Sequence, residues 1–254
     1  MGVLAKKVAI ITGASSGIGH AAARLFADEG ASLVVVARRQ AGLNELLSRI
    51  EGIGGRAIAV VGDVKEESTA KRAVEAAVST FGGLDIAFNN AGTLGAMGPT
   101  PEIPVAGWHD AMEINLTSAF LGAKYQISEM LKRGAGSVIF TSTFVGYTAG
   151  FLGTAAYAAS KSGLIGLTQA LAAEYGPHAI RVNALLPGGT DTPMAARMNG
   201  TPEAMAHVAS LHALKRIARP EEMAQAALFL ASEASSFMTG TAMLVDGGVS
   251  INRV

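Results

Sequence analysis

Two hydrophobic patterns alternate along the chain. In one, apolar residues rich in Val, Ile and Ala run almost unbroken: VAIIT at 8–12, SLVVVA at 32–37, AIAVV at 57–61, LDIAF at 84–88, SVIFTS at 137–142, IRVNALL at 180–186 and AMLVD at 242–246. In the other, apolar residues recur every third or fourth position, over 19–29, 43–51, 69–81, 108–132, 155–175 and 221–232. The first pattern suits strands covered on both faces, because a strand with one wet face would alternate apolar with polar residues. The second suits helices carrying one apolar stripe. Their alternation predicts an α/β fold: a single doubly wound domain with a seven-stranded parallel sheet and helices on both faces. No Pro- or Ser-rich linker, charge block or low-complexity tract divides residues 1–254. The least regular stretch, 188–220, scatters Pro, Gly, Met and Thr and is expected to form a substrate-covering lid.

Composition narrows the possibilities. Half of the chain is apolar and 16% is charged, which supports a buried core rather than disorder. Lys+Arg and Asp+Glu both total 20, so the formal net charge is zero and nothing draws the surface generally to nucleic acid or anionic membrane. There is no cysteine, which excludes disulfides, thiolate catalysis and Cys-based metal sites. No apolar run approaches the roughly 18 residues of a spanning helix, and the run after Lys6 and Lys7 is too short for a signal peptide. A cytoplasmic protein is expected. The five histidines form no ligand spacing, so no metal is expected, and His207 and His212 read as solvated.

The first apolar run leads into TGASSGIG, which holds Gly13, Ser15, Ser16, Gly17, Ile18 and Gly19. Between a strand and a helix, such glycines let the backbone turn tightly and approach a pyrophosphate, which the helix N-terminus stabilises. The spacing departs from G-x-G-x-x-G, and a ligand-free tight turn is the competing explanation. GDV at 62–64 follows the third run, NNAG at 89–92 the fourth and NALLPGGTDTP the sixth. Doubly wound sheets bind ligands at these carboxyl ends of their strands.

With Asn115 in EINLTSAF, YAASK at 157–161, the Pro187–Gly188 turn and LVDGG near the end, these motifs resemble the short-chain dehydrogenase/reductase family, in family order over nearly the whole length. The resemblance implies a Rossmann-like fold and a nicotinamide dinucleotide. Asp63 and Val64 would border its adenine, and Asn90, Ala91 and Gly92 the adenosine and its ribose. Pro187, Gly188, Thr190 and Thr192 would meet the nicotinamide half. It also implies a homotetramer, joined through the two long helices and the last strand.

The end of the second run bears on which dinucleotide is used. An acid there commonly bonds the ribose 2′-hydroxyl of NAD, but here the run ends ARRQ. Arg38, with Arg39 beside it, would instead grip a 2′-phosphate through fixed forks of donors. NADP(H) is therefore expected to be preferred, with NAD(H) possible. Many NADP-preferring relatives carry a basic residue where this chain has Ser16.

Tyr157 and Lys161 lie four apart, on one face of a helix. A phenol titrates near pH 10, and a neighbouring ammonium would lower that value toward neutrality. Tyr157 would then protonate a carbonyl oxygen in reduction, or deprotonate an alcohol in oxidation. The resemblance further implies that Lys161 holds the nicotinamide ribose and Asn115 a relay water. It also implies a substrate-orienting hydroxyl near the end of the fifth strand. Ser142 fits that role by residue type and Thr143 by register, three residues before Gly146.

The favoured reading is an NADP(H)-dependent oxidoreductase interconverting a small-molecule ketone and a secondary alcohol. Three others stand beside it: an NAD-dependent sugar or polyol dehydrogenase, a 3-ketoacyl-thioester reductase, and a non-catalytic dinucleotide sensor.

Overall fold

The computed structural model describes residues 2–252; Met1, Arg253 and Val254 of the expected 1–254 domain lie outside them. Seven strands, β1 (Val8–Thr12), β2 (Ser32–Ala37), β3 (Arg56–Val61), β4 (Ile86–Asn89), β5 (Gly136–Thr141), β6 (Ile180–Pro187) and β7 (Ala242–Val245), form one sheet in the order β3-β2-β1-β4-β5-β6-β7. Every pairing is parallel. The order reverses between β1 and β4, so a crevice opens there at the carboxyl edge of the sheet.

Period-two geometry sends alternate residues of each strand to opposite faces. Ala9 and Ile11 of β1 pack with Leu33, Val35 and Ile86 against α1 (Gly17–Asp28), α2 (Gln40–Gly52) and α9 (Pro220–Ala231), through Phe26, Leu46 and Ala227. Val8 and Ile10 pack with Val34, Ala87 and Phe140 against α3 (Glu67–Phe81), α5 (Ser118–Arg133) and α6 (Ala155–Tyr175), through Ala77, Ala123 and Leu164. Both faces are therefore dry, which is why the strands read as continuous apolar runs.

The helix expected over 108–132 is broken. It consists of α4 (Val105–Met112), a widened π-helical turn at Glu113–Thr117, and α5. The extra backbone of the turn aims Asn115 into the protein, and a periodic apolar pattern carries no sign of such an insertion. The stretch 188–220 is more ordered than its composition suggests. It contains α7 (Pro193–Asn199) and α8 (Pro202–Leu211), each begun by a Thr-Pro pair. Thr192 and Thr201 accept from the amides of Ala195 and Ala204, both at 3.2 Å, and proline occupies the first helical position, where its missing N–H is harmless.

Candidate active site

The crevice is built first by its glycines. Gly13 and Gly17 have φ of 68° and 56°, left-handed values that a side chain would strain. A Cβ on Gly19 would lie 2.5 Å from the Gly13 carbonyl oxygen and 2.6 Å from Asn90 Nδ2. The β1–α1 turn thus lies directly against the end of β4. Thr12 Oγ1 accepts from the amides of Asn90 and Ala91, both at 3.0 Å, and Asn90 Oδ1 accepts from Thr141 Oγ1 at 3.1 Å. These bonds stitch the ends of β1, β4 and β5 into one rigid floor. Ser16 precedes α1 in extended backbone with no side-chain cap, so the first-turn amides keep their partial positive charge toward the crevice.

At the β2 end, Arg38 and Arg39 stand exposed on the rim. Arg38 lies 3.8 Å from Asp63, and Arg39 donates to Ser15 Oγ at 3.5 Å. Both contacts are long and wet, so they hold the guanidinium groups only weakly. Bare glycine backbone, an uncapped helix end and two loosely held arginines fit a pyrophosphate with an additional phosphate nearby.

At the far end, Tyr157 and Lys161 project from α6. Burial holds the Tyr157 phenol above its ordinary pKa, and hydrogen bonding with the Thr143 hydroxyl works against that rise. The Lys161 ammonium is directed to the Thr141 carbonyl at 2.7 Å, and burial lowers its own pKa to about 8. Desolvation disfavours the charged form of both groups.

The two candidate hydroxyls diverge. Ser142 Oγ donates to the backbone oxygen of Lys161 at 2.7 Å, inside the protein. Thr143 Oγ1 accepts from the Val145 amide at 3.3 Å and faces Tyr157. Asn115, 1% exposed, accepts from the Thr93 amide at 2.8 Å and donates to the Thr93 carbonyl at 3.0 Å and to Ser160 Oγ at 2.9 Å. A Cβ on Gly92 would sit 3.0 Å from Lys161 Nζ and 3.1 Å from Asn115 Oδ1, so glycine there lets the two groups converge.

Past β6, Gly188 packs so closely on β7's end that a Cβ would lie 2.7 Å from Asp246 Cα. Thr190 Oγ1 donates to the Gly188 carbonyl at 3.1 Å. The Thr192 hydroxyl caps α7, while its methyl lies against Gly17 across the crevice. One residue here escaped the sequence reading. His212 is 2% exposed rather than solvated, and both its ring nitrogens bond backbone. A lone histidine in an irregular stretch carries no spacing signal that could have revealed it.

A continuous cleft of about 910 Å³ joins these parts, from the glycine turn and Arg38 to Tyr157, and takes in Val64, Pro187 and Ile18. Beyond Tyr157 its wall is mostly apolar, lined by Phe144, Phe151, Met194, Met198, Leu211 and Val249, with Arg197, Asn199 and His207 as polar members. The Phe144 and Phe151 rings meet edge to face, with centroids 5.5 Å apart. Of the methionines in this stretch, Met205 stays outside the lining and accepts from Asn199 Nδ2 through its sulfur at 3.2 Å.

Fold and cleft together define a dinucleotide-binding α/β protein with a half-buried tyrosine beside a buried lysine at one end of the site. The family model described as enoyl-(acyl carrier protein) reductase matches residues 13–250. Cyclohexanol dehydrogenase of Acinetobacter sp. (strain SE19) is 39% identical over 241 residues, covering 95% of this chain and 94% of that protein. Levodione reductase superposes with a TM-score of 0.94 at 32% identity, covering 98% of this chain and 99% of that one. A Beutenbergia cavernae protein, named for NAD(P)-dependent gluconate 5-dehydrogenase activity and crystallised with NADP at low occupancy, gives a TM-score of 0.91 at 35% identity over 97% of each chain. The chain belongs to the short-chain dehydrogenase/reductase family. It is an NAD(P)-dependent oxidoreductase acting between CH–OH and C=O groups.

Proposed function

We propose that the chain interconverts an apolar ring ketone and its secondary alcohol, with NADP(H) preferred and Tyr157 as general acid/base. One observation carries this reading. Tyr157, Thr143 and Lys161 line the same cleft as the glycine turn and Arg38, and the wall beyond them is mostly apolar. Gly13, Gly17 and Gly19 would hold the pyrophosphate, Arg38 and Arg39 the 2′-phosphate, Asn90 and Lys161 the riboses, and Gly188 with Thr190 the nicotinamide end. The nicotinamide, when bound, supplies a hydride to the carbonyl carbon or takes one from the carbinol carbon.

The residues do the rest. A neutral Tyr157 donates its proton to the carbonyl oxygen, so carbon gains a hydride, oxygen a proton, and the alcohol forms. Burial favours the neutral form of the phenol. Thr143 is the second donor to the same oxygen, while Ser142, bonded to the α6 backbone, supports the helix instead. Protonated Lys161 stabilises the phenolate left behind. Asn115 Oδ1 accepts one amide and keeps a second lone pair, enough to hold a water that returns the proton.

Apart from Arg197, Asn199 and His207 the wall offers a sugar's hydroxyls few side-chain partners, and each one buried without a bond costs on the order of 1–3 kcal/mol. That favours a carbocycle over a polyol. The name of the cyclohexanol dehydrogenase agrees with it, and the NADP in the Beutenbergia protein agrees with the cofactor. Exposed Phe120 on α5 and Phe237 beside β7 support self-association through the faces expected for a tetramer.

Absorbance at 340 nm with NADPH or NADH, and cyclohexanone, 5-ketogluconate or acetoacetyl-thioester, tests the reading. NADPH-dependent turnover of cyclohexanone, lost in Tyr157→Phe, is expected. Preference for the keto-sugar, or full activity in the phenylalanine variant, overturns it.

A further inference from the structure

His212 stands at the end of α8, outside the proton-transfer set, yet its ring joins three parts of the fold. Nε2 accepts from the Gly189 amide at 2.9 Å, in the turn that follows β6. Nδ1 bonds the Val208 carbonyl in α8 at 2.8 Å. An amide can only donate and a carbonyl only accept, so the ring is the neutral tautomer with its proton on Nδ1. Its carbon edge fills the space beside two glycines: a Cβ would lie 2.9 Å from His212 Cε1 at Gly189, and 3.3 Å from Cδ2 at Gly247, just past β7.

The Gly189 turn is tied on its other edge as well. The Gly189 carbonyl accepts from the Ala218 amide at 2.8 Å, and the Asp191 amide donates to the Ala218 carbonyl at 2.8 Å. Residues 189–191 and 218 thus form a short parallel bridge, which joins the outgoing and returning legs of the α7–α8 segment. In such a bridge the intervening residue turns its own amide and carbonyl to the opposite side. That residue is Thr190, which lines the dinucleotide cleft beside Gly188. With Ala218 on one edge and His212 on Gly189, the orientation of the Thr190 backbone is fixed by the bonds of its neighbours in the turn; Gly189 and His212 also line the cleft.

We propose that His212 is a positioning residue for the nicotinamide half of the dinucleotide, coupling the α7–α8 segment to the Gly188–Thr190 turn. The proposal rests on the dinucleotide reading of the cleft, but it concerns one end only. Arg38 and the glycine turn, at the adenine end, share none of these bonds.

Calorimetric binding of NADPH and of 2′,5′-ADP, which carries the adenine half alone, provides the test. In His212→Phe, which keeps a ring but loses the acceptor, the dissociation constant for NADPH is expected to rise about ten-fold, and that for 2′,5′-ADP to stay within about two-fold. His212→Gln, whose amide oxygen can accept from Gly189, is expected to recover most of the NADPH affinity. Should the phenylalanine variant not fold, Gly189→Ala, which pushes a methyl onto the imidazole, is expected to give the same selective loss. Equal weakening of both ligands, or no weakening of NADPH, overturns the proposal. If the wild type instead prefers NADH, NADH and AMP form the pair, and the NADP(H) assignment fails separately from the role of His212.

Discussion

The Ser142 hydroxyl donates to the carbonyl oxygen of Lys161 at 2.7 Å, so this side chain is bound to the α6 backbone while its neighbour Thr143 faces Tyr157. The two adjacent hydroxyls therefore have different consequences when removed. Ser142→Ala is expected to cost about 1 kcal/mol of stability and leave kcat nearly unchanged, because a buried acceptor loses its donor. Thr143→Val keeps the shape but loses the donor, and is expected to lower kcat about a hundred-fold, with Thr143→Ser restoring most of it. Urea melts and steady-state kinetics on the three variants check both halves. Equal kinetic losses at the two positions would contradict this division.

Lys161 gives stability an alkaline dependence of unusual sign. Its pKa is lowered from 10.5 to about 8 by burial, so below pH 8 the folded state carries the full cost of a buried ammonium. Between about 8 and 10.5 the folded protein has released a proton that the unfolded chain still holds, and stability rises by up to about 1.4 kcal/mol per pH unit. Tyr157, whose folded pKa is raised above 10.0, contributes stability below that value and loses it at higher pH. The rise is therefore cleanest from pH 8 to 10. Denaturant midpoints across that range are expected to increase in the wild type and stay flat in Lys161→Met.

Arg38 is exposed and, among the described residues, is held by Asp63 alone at 3.8 Å, leaving its donors available to a phosphate. Arg38→Asp replaces a fork of donors with a repelling charge. The ratio of kcat/KM for NADPH to that for NADH is expected to fall about 10- to 100-fold, the range of one charge-assisted contact. A wild-type preference for NADH would sink the assignment before the variant is made.

Glu222, in the first turn of α9, accepts from Arg216 Nη1 and Nη2 at 2.8 and 2.7 Å and from the Arg219 amide at 2.8 Å. The Arg216 hydrogen bonds lead in lowering its pKa from 4.5 to about 2, with the Arg219 amide next. A depressed carboxylate contributes stability above its unfolded pKa and loses it as pH falls toward the folded one. The wild type is thus expected to lose stability between about pH 4.5 and 2 more steeply than Glu222→Gln, with thermal melts at stepped pH as the measurement.

Much of the scaffold was legible because its signals are local. Ser32–Ala37 and Ala155–Tyr175 have the bounds that their apolar patterns predict. Residues buried on both faces of a sheet must be apolar throughout, whatever their partners. The Thr-Pro pairs at 192–193 and 201–202 were equally local signals for α7 and α8, obscured by the scattered composition around them. The π-helical turn left no such trace, since one extra residue in a turn hardly alters a helical period.

The sequence by itself determined the alternation of strands and helices, the glycine turn, and the helical spacing that puts Tyr157 and Lys161 on one face. Each follows from the conformational preferences of a few neighbouring residues. Only the tertiary structure decided that Lys161 reaches the Thr141 carbonyl, that Ser142 and Thr143 face different partners, and that His212 is buried between α8 and the Gly189 turn. Burial and hydrogen-bond partners depend on which distant segments meet, and those partners fix a side chain's direction and its charge.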